Sequence, residues 1–279
     1  MRRVDPKVYT KKYYLTDCTG YNEYKKSLGE KLEPRFQELT KYFTIKPNTR
    51  VLDIGCGRGE MIFLAAKMQA AGFGIDYSKA AIALANTLKK NKPIAIQKKM
   101  HFSVMDAKLL KFPYSYFDIV ILTDVFEHLY PEELEMVFKE IKRVLKKGGQ
   151  LIIHTAPNRL FNDYGYKHYS YPISTLIVNI WNIFKKDKYP NITKPEELRT
   201  DSHSIMHVNE PTYFSLKKLI KQYKFQGSIF SSNITVKKTT ISFKDSLFNF
   251  LVFLHPISKK FPLNILLGSD FVCILKNLK

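Results

Sequence analysis

The sequence predicts an α/β fold: a doubly wound, mostly parallel sheet with helices on both faces. Two observations carry this. Short apolar runs alternate with helix-spaced segments from residue 48 to residue 157, and that alternation means a parallel sheet covered on both sides. Further along, Phe225–Ser231 and Phe271–Leu275 are strand-like runs suited to close the sheet.

The elements follow in chain order. Residues 1–21 are basic, tyrosine-rich and without periodicity. Asn22–Phe43 reads as a helix restarted near Glu33-Pro34, since proline is tolerated in a first turn. Val51–Ile54 is an apolar strand. Gly59–Gln69 is helical, with Met61, Ile62, Leu64 and Ala65 along one stripe. Gly72–Asp76 is a strand, and Ser78 caps a helix that runs to Lys90. His101–Met105 and Asp118–Leu122 are strands. Pro131–Leu145 is a helix with proline in its first turn and Gly148-Gly149 just past its end. Leu151–His154 is the fifth strand. From Pro157 to Glu210 aromatics, His, Asn and Pro replace the alternation. An insertion is expected there, with one apolar helix near Pro172–Phe184. Thr212–Tyr223 is helical again, and Asp245–Leu267 is apolar and proline-punctuated. The expected divisions are an N-terminal helical cap (1–47), a core (48–157), an insertion (158–210) and a C-terminal part of the same fold (211–279).

Composition bounds the function. The chain has 279 residues, 45 Lys and Arg against 25 Asp and Glu, and a formal charge of +20. Its 45% hydrophobic and 25% charged residues are globular values and argue against a disordered chain. Only 8 of the basic residues are arginine, the better residue for bidentate recognition of phosphates and bases. A nucleic-acid groove is therefore not implied. A solvated basic surface and a face turned to an anionic membrane both fit the charge. Cys18, Cys56 and Cys273 are too widely spaced for a disulfide framework or a metal knuckle, so a reducing compartment is expected. Met1–Pro6 carries no apolar leader core, and no run reaches the ~18 apolar residues of a membrane span. The expected location is cytoplasmic, or peripheral at the inner face of the membrane.

Five motifs carry chemistry. Val51-Leu52-Asp53-Ile54-Gly55-Cys56-Gly57-Arg58-Gly59-Glu60 is a strand running into G-x-G-x-G and then a helix. Glycines let a ligand approach the main chain, and the helix start offers free N–H groups. The spacing is neither that of dinucleotide binders nor a Walker loop. Asp53 can order this loop or reach a ligand amine. Asp76, at the end of the next strand, can accept hydrogen bonds from both hydroxyls of a ribose. Asp106-Ala107 follows the third strand, where an adenine amino group would lie. Thr123-Asp124-Val125-Phe126-Glu127-His128-Leu129 follows the fourth, and Leu145-Lys146-Lys147-Gly148-Gly149 precedes the fifth.

As an ordered set, over about residues 48–157, these motifs resemble the class I S-adenosylmethionine-dependent methyltransferases. The resemblance implies a seven-stranded Rossmann-like sheet with a lid insertion after the fifth strand, and S-adenosylmethionine as cofactor. It implies that Gly55, Gly57 and Gly59 cradle the methionine moiety, Asp76 binds the ribose and Tyr77 packs on the adenine face. Asp106 and the Ala107 amide would read the adenine amino group, and Thr123 would also touch the cofactor. Glu127-His128-Leu129 is similar to the branch containing ubiquinone, menaquinone and small-molecule methyltransferases. Leu15–Tyr21, Gly29-Glu30, Pro34-Arg35 and His207–Leu216 look like bacterial methyltransferases of surface glycan and lipid synthesis.

The implied reaction is an in-line displacement from a sulfonium onto an oxygen of a small-molecule, lipid-linked or glycan acceptor. The protein mainly aligns the acceptor, helped by a base. His128, just after the fourth strand, is the candidate base; capping the following helix is its alternative role. Asp124-x-x-Glu127-His128, completed by His203 or His207, has the spacing to begin a divalent-metal site, but a metal-free site is expected. Asn158, Tyr164, His168, His203 and His207 are the candidate acceptor-binding residues, since aromatic and amide side chains suit a sugar or phenolic ring. A nucleic-acid methyltransferase is the rival reading. Thr123-Asp124-Val125-Phe126 lacks the Asn/Asp-Pro-Pro-Tyr/Phe often found at that place in enzymes that methylate nucleic-acid amino groups. A non-catalytic cofactor-binding regulator is a second rival. Ile173–Phe184 and Leu247–Leu254, with Lys185, Lys186, Lys188, Lys259 and Lys260 nearby, could dock on a membrane or pack in the core.

Overall fold

The computed structural model describes residues 2–16, 18, 20–184, 188–199, 205–232 and 243–278. Its centre is a seven-stranded sheet of β1 (Arg50–Ile54), β2 (Ala71–Asp76), β3 (Met100–Val104), β4 (Phe117–Thr123), β5 (Leu145–Thr155), β6 (Phe225–Ser231) and β7 (Phe271–Asn277). The order across the sheet is β3-β2-β1-β4-β5-β7-β6. β1 to β5 pair in parallel, whereas β7 runs antiparallel to both β5 and β6.

Alternation along the strands divides the core in two. Leu52 of β1 and Val120 and Leu122 of β4 join Phe138 and Ile141 on one side of the sheet. Val51, Ile119 and Ile121 join Met61, Ala65 and Leu39 on the other. The helices α4 (Glu60–Lys67), α5 (Lys79–Lys90) and α7 (Pro131–Val144) supply the covers, and the short α6 (Ile94–Gln97) leads into β3. Ser78 caps α5, its side chain accepting from the Ala81 N–H at 3.3 Å. Pro131 opens α7, where the Glu133 carboxylate accepts the Tyr130 N–H at 3.1 Å.

Several elements differ from expectation. The helix expected over Asn22–Phe43 is two short ones, α2 (Tyr21–Ser27) and α3 (Pro34–Leu39), because Leu28 and Gly29 turn the chain at φ 47° and 75°. The tyrosine-rich start holds a further helix, α1 (Lys11–Thr16). β5 begins at Leu145, directly after α7. A π-helical stretch, Phe161–Ser170, leads without a break into α8 (Tyr171–Phe184). As expected, a helix at Tyr213–Gln222, α9, precedes β6. Among the described residues, no helix is long and apolar enough to cross a membrane.

Candidate active site

The sheet reverses its winding direction beside β1, with β2 on one side and β4 on the other. Crevices beyond the carboxyl ends of such strands are where α/β sheets bind ligands. A cavity of about 460 Å³ lies there, within the roughly 300–1,000 Å³ usual for ligand pockets. Asp53, Gly55 and Gly57 line it from β1 and its loop, Asp76 and Tyr77 from β2. Asp106 and Ala107 line it from the loop after β3, and Thr123 from the end of β4.

The glycine loop is held on both sides. Gly55 and Cys56 donate their N–H groups to the Ile75 carbonyl at 2.8 and 2.9 Å, and Gly57 donates to Asp76 Oδ2 at 3.2 Å. Gly55 and Gly57 sit at φ 73° and 50°, the left-handed region that disfavours a side chain. A Cβ on Gly55 would also fall 2.3 Å from Val125 Cγ2. Gly59 departs from its expected place: it starts α4 and does not line the cavity. A Cβ there would meet the Phe102 ring at 2.7 Å, so its smallness serves packing.

The two carboxylates differ. Asp76 accepts from Ser78 N–H at 2.8 Å as well as from Gly57, and from the Tyr14 hydroxyl. Burial pushes it up to about 6 against the pull of those donors. A carboxylate has about four acceptor sites, so these three donors leave one for a ligand hydroxyl. Asp53 is fully enclosed, and its Oδ1 is a buried acceptor without a hydrogen-bond partner among the described residues. Burial, then the neighbouring Asp76 charge, holds its carboxyl well above the usual range. An orphaned acceptor lining a cavity fits a ligand that brings a cationic amine. Asp106 both lines the cavity and caps its own turn, accepting the Lys108 N–H at 2.9 Å.

The N-terminal segment closes over this cavity. Tyr9, Tyr13, Tyr14, Cys18 and Arg35 all line it. Arg58, 3% exposed, donates to the Tyr14 carbonyl at 2.9 Å and to the Cys18 carbonyl at 3.4 Å, and pairs with Glu60. Arg35 pairs with Glu33 at 2.8 Å and with Asp124 at 2.7 Å. None of these contacts was legible in the sequence beyond the run of tyrosines before residue 25 and an arginine inside the glycine motif.

Beyond β4, His128 Nδ1 lies 3.0 Å from the Tyr9 hydroxyl and 3.0 Å from the Met206 carbonyl. The carbonyl can only accept, so it favours a proton on Nδ1 and the lone pair on Nε2. The His207 ring packs edge-on at 4.9 Å. Glu127, buried, accepts from Thr155 Oγ1 at 2.8 Å. Burial and the nearby Asp124 charge push its carboxyl up to about 8.

Ligand atoms of Glu127, His128 and His207 lie within 4.8 Å of one another, close enough to hold a metal ion. Asp124 is not part of that group. Its carboxylate is taken by Arg35 and by His154 Nδ1 at 2.6 Å, which hold it well below the usual range against its burial. His154 Nε2 in turn contacts Asp270 at 3.2 Å. Although burial alone would lower it, the two carboxylates push His154 up to about 10.

The expected acceptor residues scatter. His207 lines the cavity. Asn158 does not: it is fully buried, donates to the Ile265 and Gly268 carbonyls at 3.0 and 2.8 Å, and accepts from Leu160 N–H at 3.1 Å. Its amide is consumed in pinning the loop before β7. Tyr164, 55% exposed, and His168, exposed, do not line the cavity. His203 lies outside the described residues. The insertion instead contributes Phe161, Asn162, Tyr166, Leu198 and Arg199.

Residues 52–153 match the model of a methyltransferase domain. The chain is 29% identical over 174 residues to a ubiquinone biosynthesis O-methyltransferase of Pelagibacter ubique, covering 62% of this chain and 64% of that protein. It is 27% identical over 135 residues to phosphoethanolamine N-methyltransferase 1 of Arabidopsis thaliana, covering 46% of this chain and 26% of that protein. The chain thus spans less than two thirds of the length of these curated relatives. In fold it is similar to an S-adenosylmethionine-dependent methyltransferase from Methanosarcina mazei, with a TM-score of 0.54 and 23% identity over 88% of this chain and 98% of that one. The domain match lies over the glycine loop and the reversed seventh strand completes the sheet, so residues 52–153 carry a methyltransferase domain and the chain has the fold of the class I S-adenosylmethionine-dependent methyltransferases.

Proposed function

We propose that the chain methylates an oxygen of a small-molecule, lipid-linked or glycan acceptor, with S-adenosylmethionine as donor. The observation that carries this reading is the meeting of the orphaned Asp53 carboxylate, the strand-end Asp76 and His128 in one cavity. Asp53 takes the cofactor's amine, the Gly55–Gly57 backbone its methionine moiety, and Asp76 its ribose. Tyr77, Asp106 and Ala107 take the adenine. Bound there, the cofactor supplies a methyl group already activated on a sulfonium.

The chain's own residues then align the acceptor and receive its proton. The Met206 carbonyl and the Tyr9 hydroxyl fix the His128 ring, and Nε2 accepts the acceptor's hydroxyl proton. Glu127, at about 8, is mostly protonated at neutral pH and adds little charge beside the ring. Phe161, Tyr166 and Leu198 give the cavity apolar walls suited to a ring or an alkyl chain. The ubiquinone relatives, O-methyltransferases by name, support an oxygen as the methylated atom. The free thiols Cys18, Cys56 and Cys273 suit the cytoplasm.

The charge of +20 favours one rival, a nucleic-acid methyltransferase. A regulator that binds the cofactor without turnover is the other. The experiment that separates the three is a product-detecting assay with isotope-labelled S-adenosylmethionine over lipid, sugar and tRNA extracts.

A further inference from the structure

Two neighbouring helices turn apolar residues to solvent. On α8 these are Leu176, Ile180, Ile183 and Phe184; on α10 (Phe243–Phe253) they are Phe243, Leu247, Phe250 and Leu251. Both sets follow the same i, i+4, i+7, i+8 spacing, a single stripe along each helix. The inward faces are already occupied. Ile173 and Ile177 of α8 and Phe248, Val252 and Phe253 of α10 pack with Phe161 and Tyr166. The outward stripes are thus a second apolar face on each helix, reaching 80% exposure at Phe184 and 82% at Phe243. The two helices contact each other, and Lys244 of α10 lies over the Trp181 ring of α8, so the two stripes sit on neighbouring elements.

Charge selects what covers it. α8 carries no charged residue, and Asp245 is the only acid on α10. Lys244 lies at the same rim, its Nζ 5.4 Å from the Trp181 ring centroid, and Lys260 is exposed in the turns that follow. On a chain of charge +20, a second copy would bring repulsion, whereas an anionic lipid surface complements the fringe. A 14-residue helix spans only about 21 Å, short of the roughly 30 Å hydrocarbon core, so it lies in the interface and does not cross it.

We propose that the paired faces of α8 and α10 dock flat on an anionic phospholipid bilayer. Docking stands apart from the methyl-transfer reading. Its consequence rests on that reading: Phe161 and Tyr166 line the cavity and pack beneath the same helices, so docking would bring the acceptor pocket beside the lipid.

Trp181 is the only tryptophan and reports on this surface directly. The test uses the full chain with phosphatidylglycerol and with phosphatidylcholine vesicles, read by co-sedimentation and by Trp181 emission. The expected result is a blue shift and sedimentation with phosphatidylglycerol, at least about tenfold weaker with phosphatidylcholine. The double substitution Ile183→Glu with Phe250→Glu should abolish both signals while leaving thermal unfolding and cofactor binding as in the parent. Lys244→Glu alone should weaken the phosphatidylglycerol signal. No association with either vesicle, or equal association with both, would overturn the proposal. So would a dimer of the free chain that the double substitution dissociates, since the surface would then belong to a second copy. None of these readouts requires turnover, so failure of the methyl-transfer reading leaves the result interpretable.

Discussion

The Tyr9 hydroxyl lies 3.0 Å from Nδ1 of His128, across 119 positions of chain. The Met206 carbonyl meets the same nitrogen at 3.0 Å. Two segments outside the matched methyltransferase domain therefore hold one ring that the domain presents. That arrangement sets the N-terminal segment against the candidate base, and Ser78 Oγ donates to the Tyr9 carbonyl at 2.9 Å, tying the segment to the end of β2.

Tyr9→Phe keeps the ring that packs on Tyr77 and removes the hydroxyl. Turnover should fall about three- to tenfold, the worth of one hydrogen bond, with cofactor affinity unchanged. His128→Ala should lower turnover by about 10²–10⁴-fold, as for loss of a general base. Steady-state kinetics beside calorimetric titration of the cofactor check both. Full turnover in His128→Ala would make the histidine a structural residue.

Cofactor affinity should depend on the strand-end carboxylate and the glycine loop. Asp76→Ala and Gly57→Val should each weaken S-adenosylmethionine binding at least tenfold, roughly 1.4 kcal/mol. The first removes the diol acceptor. The second forces a β-branched residue to φ 50°. Unchanged affinity in both variants, measured by calorimetry, would contradict the assignment.

The β1–loop–α4 unit was readable because everything it needs is local: an apolar run, glycines at left-handed positions, and a helix start within ten residues. The parallel sheet of β1 to β5 followed from the same alternation. The rest of the site was not local. Asn158 stands just past β5, where a mouth residue would be expected. Its amide is instead satisfied by carbonyls more than a hundred residues on, at Ile265 and Gly268. Arg35 and Arg58 stand within motifs the sequence shows, yet nothing local marks either side chain as buried. Burial against Asp124 and Glu60 is what makes them site residues, and no spacing rule announces a pairing across such distances.

Stability should fall with rising pH through two buried groups. His154 is raised from 6.5 to about 10, so its contribution is complete below about 6.5 and is lost as pH climbs through about 10. Glu127 is raised from 4.5 to about 8; the folded state holds its proton longer, so stability declines from about pH 4.5 to about pH 8. Glu127→Gln should therefore gain on the parent across that second interval, by up to about 1.4 kcal/mol per pH unit. His154→Gln should be more damaging at about pH 6 than at about pH 10. Denaturant titrations across pH check both signs.

The Glu127, His128 and His207 group tests the metal question. Activity is expected to survive a chelator, because Glu127 and His128 Nδ1 already have protein partners. His207→Ala should raise KM for the acceptor more than it lowers kcat. Loss of activity with a chelator and its return with a divalent ion would assign the group to a metal.

The most direct measurement follows the label from methyl-labelled S-adenosylmethionine into separated lipid, sugar and tRNA fractions. Label is predicted in an organic-soluble or sugar product, dependent on His128. Label confined to tRNA would make the chain a nucleic-acid methyltransferase. No label in any fraction, with the cofactor bound, would contradict methyl transfer itself.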